Sequence, residues 1–97
     1  NKIKIYLNLI PENTEYAASL VSKDLLFLMR ENAGFIVKRY STKNCVVLNH
    51  LELLPGEYFT EKNWTTEHYS YKGRMMIARA VADEIKPQFK KNYIKKQ

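Results

Sequence analysis

Apolar and polar residues alternate from Lys2 to Leu9. Ile3, Ile5, Leu7 and Leu9 point one way and Lys2, Lys4, Tyr6 and Asn8 the other. This period of 2 predicts a strand within residues 1–10 with one buried face. Ile10-Pro11 ends it, because proline has no amide for the ladder. Residues 13–33 then follow a helical period. Asn13 or Thr14 is placed to cap free amides, with acids nearby to suit the positive helix end. Ala17, Val21, Leu25, Leu28 and Asn32 form a stripe that Ala18, Leu20 and Met29 widen. The unbroken stripe favours one helix. A capped break at Ser22-Lys23-Asp24 gives two instead, over 15–21 and 23–32, and so a helix-turn-helix. Gly34 sits where a residue just past a helix end belongs.

Residues 34–53 read as a β-hairpin. Two apolar runs rich in Val, Ile, Phe and Tyr flank the polar turn-formers Ser41-Thr42-Lys43-Asn44. With Thr42-Lys43 as the turn, Tyr40 faces Cys45 and Val37 faces Leu48. Phe35, Val37, Val46 and Leu48 are then the core side. Leu54-Pro55-Gly56 is a turn, and residues 54–71 form an aromatic loop or partial strands. A C-terminal helix covers 72–96, with Ile77, Val81 and Ile85 on one face, Ser70 as its cap and a kink at Pro87. Phe89 and Tyr93 are spaced to touch. Together these elements make a single α+β domain, residues 1–97.

Composition sharpens this picture in one respect. The 97 residues carry a net charge of +6, which favours polyanionic partners. The clearest local cluster is the hairpin tip, with Lys38 and Arg39 before it and Lys43 on it. A second run, Lys86, Lys90, Lys91, Lys95 and Lys96, reads as a solvated end or a non-specific phosphate contact. Cys45 is the only cysteine. An internal disulfide is therefore excluded, a thiolate zinc site is not expected, and the compartment is expected to be the cytoplasm. Within its strand, Cys45 reads as a small apolar side chain. No apolar run approaches the roughly 20 residues of a membrane span. His50 and His68 lack metal-ligand spacing, and Gly34, Gly56 and Gly73 form no phosphate loop. No catalytic residue, metal, cofactor or small-molecule substrate is expected.

The order helix, Gly34, apolar-basic strand, turn and apolar strand resembles the second half of a winged helix-turn-helix DNA-binding domain. In that likeness Tyr16–Val21 is the first of two helices, Ser22–Ala33 the second, and 34–53 the wing, joined by the strand Lys2–Leu9. The resemblance implies a homodimer that binds double-stranded DNA, as in plasmid conjugation, partition or transcription regulation. Leu25, Leu26 and Phe27 suit a buried helix, so the wing is the expected reader. Lys38, Arg39, Thr42, Lys43 and Asn44 would contact DNA there, and Lys23 would touch the backbone. Two other classes stay open. One is a phage or plasmid interaction module that inhibits a host factor through Tyr58–Tyr71. The other is a small RNase-like toxin, which needs no fixed motif.

Overall fold

The computed structural model describes residues 3–96, with side chains up to Pro87. Lys2, the Phe89–Tyr93 contact and the lysines beyond Pro87 lie outside the described side chains. The element order is β1 (Ile5–Leu9), α1 (Thr14–Ser19), α2 (Asp24–Tyr40), β2 (Cys45–Asn49), a short 3-10 turn (Gly56–Tyr58) and α3 (Tyr71–Lys96).

The two strands pair in parallel, Ile5 with Cys45 and Leu9 with Asn49. A parallel pair cannot be closed by a tight turn and needs a long crossover. Here the crossover is helical. The chain therefore has no hairpin at 34–53, because residues 34–40 are the last turns of α2. Phe35 to Tyr40 has strand-forming composition, but it also continues a helical stripe. Leu26, Met29, Ala33 and Ile36 follow one another at spacings of three and four, and Leu26 and Ala33 are buried. Packing against the sheet selects that reading over local propensity. Gly34 does not end the helix, since no glycine has positive φ.

The single helix that the stripe favoured is not formed; the break before α2 is present. α1 ends at Ser19, and the Ser22 hydroxyl accepts the Asp24 amide at 3.2 Å. The break resets the helical phase. Val21, Leu25 and Leu28 are therefore exposed instead of forming the core stripe. The faces of β1 are also reversed from expectation. Leu48 is buried, and it shares its face with Tyr6, Asn8 and Val46. Ile5 and Leu7 are 50% and 39% exposed.

A second buried region is built from loops. Pro11, Asn13, Leu54 and Phe59 are its fully buried side chains. Asn13 caps α1 by accepting the Tyr16 amide at 3.1 Å, and its own amide donates to the Lys62 carbonyl. Both halves of a buried polar group are thus satisfied. The aromatic segment 57–71 is mostly an ordered loop closed on itself. Phe59 bridges to Tyr69, whose ring lies 5.5 Å away, and the Thr60 and Ser70 amides donate to His68 and Tyr58 carbonyls. The Tyr69 hydroxyl donates to the Pro11 carbonyl at 2.7 Å and ties this loop to the end of β1. Ser70 caps α3 by accepting the Gly73 amide. One helix spans Pro87, so α3 does not stop there.

The chain is thin for its length. Its radius of gyration is 15.9 Å and its extents are 56 × 30 × 13 Å. A globule of this size has a radius near 12.5 Å. α3 accounts for much of the excess, since its 26 residues span about 39 Å.

Two glycines test these placements in opposite directions. Gly34 is exposed inside α2, and a Cβ there would meet nothing within 4 Å. Gly34→Ala is expected to stabilise the fold by about 0.5–1 kcal/mol through helix propensity. In the first turn of α3, a Cβ on Gly73 would lie 2.7 Å from the Tyr58 carbonyl oxygen. Gly73→Ala is expected to destabilise by about 1–3 kcal/mol, the cost of overpacking against backbone. Thermal unfolding of both variants checks the pair. A hairpin at 34–53 would instead make Gly34→Ala neutral or harmful.

Candidate nucleic-acid interface

The predicted contact residues survive as a cluster, although the element carrying them is different. α2 ends at Tyr40, and Ser41 adopts an extended backbone with its amide and hydroxyl on the Val37 carbonyl. The chain then turns within four residues. The Thr42 amide donates to Cys45 O at 2.9 Å, and the Cys45 amide donates back at 3.3 Å. The polar run Ser41–Asn44 is thus a turn, but it joins a helix to a strand. Lys38, Arg39, Thr42, Lys43 and Asn44 are all exposed around this corner.

Lys23 does not belong to it. It stands at the opposite end of α2, a 17-residue helix and so about 25 Å away. There its ammonium donates to the Ala18 carbonyl. Lys4 belongs instead. The Ile5 amide donates to Asn44 O at 2.7 Å, which sets Lys4 beside the turn. Alternation had placed Lys4 on the polar face of β1, but only the parallel pairing brings it to this corner.

The electrostatics of the corner follow from the sequence around it. No Asp or Glu occurs in 32–51 or in 3–11, the segments that build this end. Lys38 and Arg39 also face the negative end of the α2 dipole. Part of their charge offsets those carbonyls, so an anion would be held by side chains and not by backbone amides.

The other end of the sheet is acidic. A cleft of about 270 Å³ is walled by Leu9, Met29, Ala33 and Ile36, with Glu12 and Glu67 at its edge. Burial, and then the neighbouring Glu67, hold the Glu12 carboxyl above its ordinary value. The same acids, after burial, push the Tyr69 phenol up to about 12, so it stays a neutral donor to Pro11. His50 Nδ1 lies 2.8 Å from Asn8 Oδ1, and His68 pairs with Glu61. Among the described residues no group of three or more His, Cys, Asp or Glu is placed to hold a metal ion. None of the described helices is long and apolar enough to cross a membrane. Of the aromatic segment, Phe59 is buried, while Trp64 and Tyr71 are exposed.

Comparison with known proteins finds no matching family model, no matching curated protein and no matching solved structure.

Because Glu12 binds its proton more tightly when folded, its ionisation opposes folding. Stability from this group is present below the ordinary value of 4.5 and declines as pH rises toward the raised one. Glu12→Gln is expected to raise the melting temperature at neutral pH and to flatten its decline across that window. Glu67→Gln should do the same more weakly. Thermal melts from pH 4 to 8 measure both, and a lower melting temperature at pH 7 in Glu12→Gln would count against the assignment.

Proposed function

We propose that the chain binds double-stranded DNA without catalysis, using the corner between α2 and β2. The observation that carries this reading is the gathering of Lys4, Lys38, Arg39 and Lys43 around one exposed turn, at an end of the molecule built from segments free of acids. The lysines and Arg39 neutralise phosphates, which supplies most of the affinity and makes it salt-dependent. Thr42 and Asn44 sit at the tip, where short polar side chains reach base edges or further phosphates.

The test is a gel shift with duplex DNA over a salt series. Lys43→Ala combined with Arg39→Ala is expected to weaken binding. It should also flatten the slope of log affinity against log salt by about 2, roughly one unit for each lost phosphate contact. Lys23→Ala is expected to leave both unchanged, since Lys23 stands at the far end of α2. Equal binding by the double variant and the parent would end the proposal.

A further inference from the structure

α2 presents a second face, away from the sheet. Asp24, Leu28, Glu31, Phe35 and Arg39 recur along it at spacings of three and four. Leu28 and Phe35 are 61% and 62% exposed, and Phe27 beside them is 60% exposed. Large apolar side chains grouped this way on one helix face mark an interaction surface. A shallow groove runs between Leu28, Glu31, Asn32 and Phe35.

We infer that this face docks against the same face of a second copy, with the two α2 helices antiparallel. The order of residues along the helix is self-complementary. A two-fold axis between Glu31 and Asn32 sets Leu28 against the partner copy's Phe35, and Phe35 against its Leu28. The same axis sets Asp24 against the partner copy's Arg39 at both ends, and Glu31 beside its Asn32. Each contact occurs twice, as an isologous interface requires. The opposite signs at the ends favour the antiparallel orientation and disfavour the parallel one, in which Asp24 would meet Asp24. Both end charges are available. Among the described residues Arg30 pairs with Glu52 and the His68 ring lies against Glu61, and neither contact uses Asp24 or Arg39. The exposed face of β1, with Ile5 and Leu7, carries no such complementarity, and α2 is the better self-docking surface.

The test is sedimentation equilibrium of the full chain at low ionic strength, without DNA, over a concentration series reaching the high-micromolar range. The parent is expected to dimerise reversibly. Asp24→Arg alone and Arg39→Asp alone each place like charges at both ends, and each should weaken the dimer at least tenfold. An equimolar mixture of the two variants restores opposite charges at both ends, so it should recover the dimer as a heterodimer. That recovery also shows that both variants are folded. Phe35→Ala should weaken the dimer at any salt concentration. A parent that stays monomeric throughout overturns the inference. So does a dimer unchanged by either charge variant, or a mixture no tighter than its components.

Discussion

The parallel pairing of β1 with β2 is the constraint on which the rest of the chain depends. Two parallel strands must be joined by a segment that returns the chain to its starting end. α1 and α2 are that segment, and the return explains why α2 is long and why it lies on the sheet. It also decides which charges meet. The parallel register brings the starts of both strands together, so Lys4 arrives beside the turn that precedes β2. An antiparallel hairpin would have put residues 34–40 in the sheet and left Lys4 with no defined place beside Lys43.

The pairing also creates a deficit of cover. Parallel strands are ordinarily buried on both faces, and a sheet of two is marginal alone. Here one helix lies on one face. Leu48, Leu26 and Ala33 are buried, while Ile5 and Leu7 remain exposed. The loop region around Phe59, Asn13 and Leu54 adds a second centre of burial, fixed by the Tyr69–Pro11 hydrogen bond. That bond joins residues 58 positions apart, and it keeps the aromatic loop on the body of the molecule.

Features governed by neighbouring residues were legible in the sequence. Period-2 alternation found β1, Asn13 and Ser70 were recognised as caps, and Ser41–Asn44 read as a turn; the break at Ser22 was weighed, but the unbroken stripe favoured one helix. The other misreadings concern long-range choices. Phe35-Ile36-Val37 fits a strand by propensity and a helix by phase, and only the sheet beneath α2 decides between them. Gly34 looks like a helix stop because glycine commonly ends helices, yet a helix also tolerates it at a cost of about 1 kcal/mol. The inward face of β1 was chosen by counting apolar residues. The structure turns the more polar face, with Tyr6 and Asn8, toward the buried side, because that face shares register with Leu48. The candidate contact residues were chosen by charge and turn chemistry, which do not depend on the partner element, and Lys38, Arg39, Thr42, Lys43 and Asn44 are exposed. Lys23 was misplaced because a helix of unknown length separated it from the turn.

Arg39 links the two surfaces of α2. It lies on the outward face of α2, where it would meet Asp24 of an antiparallel partner, and also at the basic corner where DNA would bind. A single guanidinium cannot fully serve a carboxylate and a phosphate together, so the two engagements draw on the same charge. Lys4, Lys38 and Lys43 would not face this conflict, and they would keep the corner basic if Arg39 were paired. In an antiparallel α2 pair the two corners stand at opposite ends of helices about 25 Å long. That separation is shorter than one turn of duplex DNA, at about 34–36 Å. Two corners on one straight duplex face would therefore have to be reached by the turns extending beyond the helix ends. The Ser41–Asn44 turn follows α2 directly, so the reach of the turn, and not α2 alone, would determine whether both corners engage one duplex.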